Sequence, residues 1–411
     1  MEKKPIPKLE SSVRLSKIID EYYARARQAK AEGRPIVWVN LGAPSEILWA
    51  MDCFVLYPES HSASCGGRKV GTAHCEAAEA HGFPTHLCSY AKNDIGSAIL
   101  GERTQSPVGG LPRPDFLVVV NDSCLVVQKW WEYLSYYFQV PLFVIDTPNM
   151  HDEINRDAIA YTRRQLLELI AWLEGHLGRR LDYPRLTQVV ETAQTSGQLW
   201  AQSYALNKHV PSPTTMFDVW AHNFVVLNMR NTQEAIDHYT ALIAEIKERI
   251  AQGISALPEE RYRLYWDNIV MWFGLGWLGR KLAGAGAAIV ASTYAEVFNW
   301  DYLDASRPLD SLAENACLLY LNRGIQHKIK RIIEIVDEYA IDGLIMHFTR
   351  GCKAFTLDEL TVQDVVSQRT GVPAIRLDGD IVDSRYFSEA DADRVIDTLL
   401  EMIDARRAAR K

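Results

Sequence analysis

The chain has 411 residues, 48% of them hydrophobic, and a formal net charge of -8 from 44 basic and 52 acidic side chains. That is more chain than one ordinary core needs and enough for two α/β domains. No basic block stands out, which argues against nucleic acid or a membrane surface as a partner, and no apolar stretch reaches the ~18 residues of a membrane span.

The opening run, Met1 to Asp20, has no apolar signal core, so the expected location is the cytoplasm. Residues 1–33 read as a polar helical segment that covers another element. Beyond Gly33 short apolar runs take over: Pro35–Asn40, Cys53–Tyr57, Thr85–Cys88, Phe116–Val120 and Pro141–Ile145. Each is followed by a turn or a helical stretch, the signature of a parallel sheet with right-handed crossovers. Residues 152–206 are mostly helical, with an apolar stripe along Tyr161–Leu177, and His209–Pro213 marks a boundary loop. The second half repeats the theme. A long helix covers Thr232–Gln252, and strands are expected at Arg261–Trp266, Gly286–Ala291, Gly343–Phe348 and Pro373–Leu377. Helices at Ser311–Asn322, Ile325–Tyr339, Leu357–Thr370 and Glu389–Ala408 separate or follow them. The expected architecture is two doubly wound, Rossmann- or flavodoxin-like α/β domains, 34–208 and 209–411, behind the helical N-terminal segment.

Seven cysteines in a large chain without an export signal do not make a disulfide scaffold. Cys88, Cys124 and Cys352 each stand where an expected strand hands over to a helix, the edge at which open α/β sheets bind ligands. Two belong to the first domain and one to the second, so a shared ligand would lie between the domains. Thiolates at helix N-termini meet the positive end of the helix dipole, which favours metal ligation. Three cysteines without a fourth suit a 4Fe-4S cluster with one open iron, whereas structural zinc takes four protein ligands. On spacing alone three buried thiols are the better-supported account, since no close Cys-x-x-Cys signature exists.

At these residues the chain resembles the family of benzoyl-CoA reductase and 2-hydroxyacyl-CoA dehydratase subunits, from about residue 34 to the C-terminus. The resemblance rests on several segments in order: Asn40-Leu-Gly-Ala-Pro44-Ser-Glu46, Tyr57-Pro-Glu59, Cys88-Ser-Tyr-Ala-Lys-Asn-Asp94, Asn121-Asp-Ser-Cys124, His347-Phe-Thr-Arg350-Gly-Cys352-Lys353 and Leu377-Asp-Gly-Asp380-Ile-Val-Asp383-Ser-Arg385. It implies one 4Fe-4S cluster on Cys88, Cys124 and Cys352, pairing with a homologous cluster-binding subunit as a heterodimer, and a separate ATP-hydrolysing protein that delivers low-potential electrons. It also implies an acyl-CoA substrate and ketyl-type radical chemistry. No G-x-x-x-x-G-K-[ST] loop is present, so nucleotide hydrolysis belongs elsewhere. Two departures stand out. Gly351 replaces the serine of many family members, and Asn268, after the bulky Tyr265-Trp266 pair, replaces an expected glycine.

Glu59 and His61 follow the second strand and are assigned proton-transfer roles, since a partly buried carboxyl or imidazole titrates near neutrality. A first-turn carboxylate and a loop histidine are the plainer alternatives. Glu46 opens a helix, and His347 and Arg350 stand close enough to Cys352 in sequence to touch a cluster or thioester. Arg68-Lys69 either meets CoA phosphates or is a solvated face. Cys65, Cys75, His74, His81 and His86 cluster in sequence, but their spacing matches a zinc site poorly; Cys65 as a fourth cluster ligand stays open. The eleven tryptophans are explained by core packing, or more sharply by a large partner interface. The leading expectation is therefore an iron–sulfur subunit of an ATP-dependent benzoyl-CoA-type reductase, favoured by Gly351 and the aromatic richness. A 2-hydroxyacyl-CoA dehydratase subunit, an electron relay without substrate and, last, a zinc hydrolase are the alternatives.

Overall fold

The computed structural model describes residues 8–151 and 153–409; the first seven residues of the expected N-terminal segment lie outside them. Among the described residues eight strands form two four-stranded, wholly parallel sheets. The first contains β1 (Ile36–Val39), β2 (Phe54–Leu56), β3 (Phe116–Val120) and β4 (Leu142–Ile145) in the order β2-β1-β3-β4. The second contains β5 (Tyr262–Asp267), β6 (Ala287–Ser292), β7 (Gly343–Thr349) and β8 (Ala374–Gly379) in the order β6-β5-β7-β8. The two sheets share one topology. In each, the first and third strands are neighbours and the winding reverses between them, which opens a crevice at their carboxyl ends. The strands are nearly continuous apolar runs because helices cover both faces of a parallel sheet.

Ordinary end signals set the long helices. Asn155 caps helix Arg156–Leu177 by accepting from the Asp157 and Ala158 N–H groups, and Gly178 ends it in the left-handed region. Thr232 accepts from Ala235 N–H to open helix Gln233–Ala251. Helix Glu10–Ala31 lies on helices Met216–Met229 and Gln233–Ala251, tied by the Arg25–Glu234 ion pair and by Glu245 accepting from the Ser11 N–H. Every expected strand has a counterpart except Thr85–Cys88, where the chain runs through a turn. Gly82 and Pro84 stand just before that run, and the eight residues between helices Gly71–Ala80 and Ser89–Leu100 are taken up by two turns, so no strand forms. Instead, helices Gly71–Ala80 and Ser89–Leu100 fold back on each other. They pack so closely that a Cβ on Gly96 would stand 1.8 Å from the His74 carbonyl oxygen. Among the described residues no helix is long and apolar enough to cross a membrane.

Candidate functional site

The carboxyl edges of the two sheets bound one cavity of about 440 Å³. Equivalent positions line it from both sides: Leu41 after β1 and Ile269 after β5, Glu59 after β2 and Tyr294 after β6, Cys124 after β3 and Cys352 after β7. Cys88 arrives from the turn that opens helix Ser89–Leu100 and lines the same cavity.

All three cysteines are free and partly buried. Each occupies the N-cap position of its helix: Cys88 before Ser89–Leu100, Cys124 before Leu125–Phe138 and Cys352 before Lys353–Thr356. Backbone N–H groups two and three residues ahead face each sulfur: Tyr90 and Ala91 at Cys88, Val126 and Val127 at Cys124, Ala354 and Phe355 at Cys352. They lower the thiol pKa without closing full cap hydrogen bonds. Burial outweighs them and pushes the Cys88 thiol up to about 12. Cys124 and Cys352 rise for the same first reason, and the negative charge of the neighbouring thiolates adds to it at Cys88 and Cys352. Unligated, the trio is therefore protonated at neutral pH; a cation held among the sulfurs would reverse this.

Among the described residues no three or more His, Cys, Asp or Glu side chains gather tightly enough for a single metal ion. A cuboidal cluster spreads its ligand sulfurs wider than one ion does. The donor set fits such a group: three thiols, six N–H groups directed at them, and a fourth side open to the cavity. Gly351 sets how near the Cys352 turn comes to the Cys88 turn. A Cβ there would lie 2.9 Å from Cys88 Cα and 3.0 Å from the Leu87 carbonyl oxygen, so the glycine lets the turns touch backbone to backbone.

Glu59 lines the cavity, and its Oε2 is buried without a partner. Desolvation raises its pKa to about 8 against the pull of the Leu41 N–H, with Asp122 and Asp94 adding to the rise. His61 does not line the cavity. It is 1% exposed, 2.9 Å from Ser106 Oγ, 3.5 Å from Cys65 Sγ and 3.6 Å from Asp94 Oδ1. Burial works to lower its pKa, but Cys65 and Asp94 outweigh that, and the Cys65 thiol is lowered in turn by His61 and His74. Cys65 faces this buried network rather than the cavity. Cys75 is buried and donates weakly to the Ser89 carbonyl, while His81 and His86 are exposed.

The other candidates divide. Arg68 is an exposed residue of the cavity lining and forms no ion pair among the described residues; Lys69 is not part of the lining. Glu46 is 1% exposed and paired at 2.6 Å with Arg230, a structural tie. His347 is fully buried, its Nδ1 2.7 Å from the carbonyl oxygen of Ile269, a cavity residue. Arg350 stacks on Tyr386. The missed part is the aromatic wall: Trp220 and Phe224 from helix Met216–Met229, with Trp272, Tyr294 and Phe298. That helix is apolar nearly all round and shows no helical stripe in the sequence.

Comparison with known proteins adds a family and several relatives. A family model described as "2-hydroxyglutaryl-CoA dehydratase, D-component" matches residues 40–403. The chain is 31% identical to the alpha subunit of (R)-2-hydroxyisocaproyl-CoA dehydratase from Clostridioides difficile, covering 97% of this chain and 98% of that one. It is 30% identical to the alpha subunit of (R)-phenyllactyl-CoA dehydratase from Clostridium sporogenes, with 93% of each chain covered. Against one subunit of the benzoyl-CoA reductase from Thauera aromatica the identity is 26%, over 97% of this chain and 95% of the other.

Proposed function

The chain belongs to the 2-hydroxyglutaryl-CoA dehydratase D-component family, and from that premise we propose that it is the cluster-bearing subunit of an enzyme that removes water from a 2-hydroxyacyl-CoA. The observation that carries this reading is the meeting of Cys88, Cys124 and Cys352 on one cavity that also holds the partnerless carboxyl oxygen of Glu59. The three cysteines would hold a 4Fe-4S cluster by three corners. When bound, that group would supply a single low-potential electron and an iron open to Lewis-acid chemistry.

This chain's own residues do the rest. The N–H groups at the three helix starts balance the charge of the ligating thiolates. The aromatic wall excludes water, which strengthens every polar contact inside. Glu59, neutral at pH 7, holds the proton that the departing hydroxyl needs at Oε2. His61 takes a supporting part behind the cavity, 3.6 Å from Asp94, whose charge adds to the rise in the Glu59 pKa. Loss of a hydroxyl from C2 and a proton from C3 is redox-neutral overall, so one injected electron serves many turnovers. A separate ATP-hydrolysing protein would inject it, and a homologous subunit would complete the enzyme, in keeping with relatives that are themselves named as single subunits of larger enzymes.

Reduction of an aromatic acyl-CoA is the second reading. The ring-rich wall favours it, but the relative of that activity stands at 26% identity against 30% and 31% for the dehydratase subunits, so dehydration is put first. The test is anaerobic purification with iron and sulfide quantification, then turnover of 2-hydroxyacyl-CoA and aromatic acyl-CoA thioesters with one electron donor. A protein with no iron sinks both readings, and turnover of the aromatic thioesters alone reverses their order.

A further inference from the structure

The rings that line the cavity have already committed their polar tips. Trp272 Nε1 donates to the Tyr90 hydroxyl at 2.6 Å, and that hydroxyl is 3.4 Å from the Tyr294 hydroxyl. Trp130 Nε1 donates to Asp94 Oδ2 at 3.2 Å, and Trp220 Nε1 donates to Ser292 Oγ at 3.3 Å. With the three indole N–H groups spent on the protein and the two tyrosine hydroxyls turned to each other, these five side chains leave a ligand their ring surface and a single O–H hydrogen. Charge is equally one-sided. Arg68 is the single cation among the described lining residues, and it is exposed, where solvent screens it. The lining also carries two acids, Glu59 and Asp20.

We propose that this site selects acyl groups ending in an apolar branched or ring-bearing body and rejects those ending in a carboxylate. The inference rests on the acyl-CoA reading above and specifies its substrate class. A second carboxylate drawn into this cavity would shed its water without meeting a buried cation. A branched chain or a ring meets what the wall presents, in a volume within the ~300–1,000 Å³ typical of ligand pockets. Phe224, at 9% exposure on the buried helix Met216–Met229, is a specificity-determining residue because its ring is one of the surfaces the acyl end packs against.

The experiment uses the enzyme as it purifies anaerobically with its partner. Four 2-hydroxyacyl-CoA thioesters share one head and carry phenyl, isopropyl, hydrogen or carboxymethyl at C3. Turnover is measured for each, and binding is followed independently by quenching of tryptophan fluorescence, since Trp130, Trp220 and Trp272 line the cavity. The phenyl and isopropyl compounds are expected to exceed the carboxymethyl compound by about 100-fold in kcat/KM and to quench at lower concentration. A ratio below tenfold in both measurements overturns the inference while leaving the enzyme reading intact. If no thioester binds or turns over, the parent reading falls first. Phe224→Leu is expected to cost the phenyl compound about tenfold relative to the isopropyl compound; an unchanged ratio in a folded variant removes Phe224 from the role. If that variant fails to fold, the four-compound comparison on the unaltered enzyme still decides the proposal.

Discussion

Glu59 is the residue whose chemistry is most exposed to test. Its carboxyl titrates at about 8 in the folded chain against an ordinary 4.5. Between those values the native state keeps a proton that the unfolded chain has lost, so stability falls as pH rises from about 4.5 through about 8 and then levels off. Glu59→Gln should flatten that slope, read as denaturant midpoints across the window. The same substitution should lower turnover by roughly 10²–10⁴-fold while iron content stays unchanged. If Glu59 serves as the acid, activity in the unaltered enzyme declines as pH passes about 8; an activity that climbs there makes it a base. Gly351 is the second test at this scale. A Cβ at 2.9 Å from Cys88 Cα meets backbone that cannot step aside cheaply. Gly351→Ala should therefore cost about 1–3 kcal/mol and reduce bound iron, measured by thermal unfolding and iron analysis. The sequence marks Gly351 as unusual, but the reason, contact with a turn far away in the chain, exists only in the fold.

At the scale of elements, helix Met216–Met229 connects the halves of the molecule. Arg230, just past its end, reaches back to helix Ser45–Ala50, donating to Glu46 at 2.6 Å and to the Ala43 carbonyl at 3.3 Å. Both partners of this ion pair are 1% exposed, so removing one leaves an uncompensated buried charge. Glu46→Ala should destabilise the chain by about 3–5 kcal/mol, and Glu46→Leu with Arg230→Met should recover most of that loss. A double substitution as unstable as the single one would show that the salt bridge does more than neutralise itself. This helix is also where sequence reading falls short. Amphipathic helices such as Arg156–Leu177 and all eight strands are legible, because each leaves one face wet or forms a short apolar run between turns. A helix buried nearly all round leaves too weak a period to read, so its Trp220 and Phe224 give no signal. The false strand at Thr85–Cys88 has the opposite cause: a brief run reads as a strand although its eight-residue link only turns the chain between two helices packed on each other.

Across the whole molecule the two sheets repeat one winding, and the loops that follow their third strands, β3 and β7, carry Cys124 and Cys352 at matching places. The sequence can bring these cysteines together only through the rule that parallel sheets bind ligands at their carboxyl edges. That rule also explains why Cys88 is harder to read, since a turn between helices delivers it. A ligand held by Cys88 and Cys124 from one half and Cys352 from the other has a consequence for stability. A group that binds these thiols only in the folded chain adds its binding free energy to folding and closes the crevice between the halves. Anaerobic reconstitution with iron and sulfide should thus raise the unfolding temperature of the unaltered chain. Cys352→Ala removes the ligand that the second sheet would contribute. It should lose the temperature gain while keeping the melting behaviour of the unreconstituted protein, because the apolar packing of β7 does not depend on the thiol. If Cys352→Ala gains as much from reconstitution as the unaltered chain, the third ligand is not Cys352, and the cluster belongs to the first half alone.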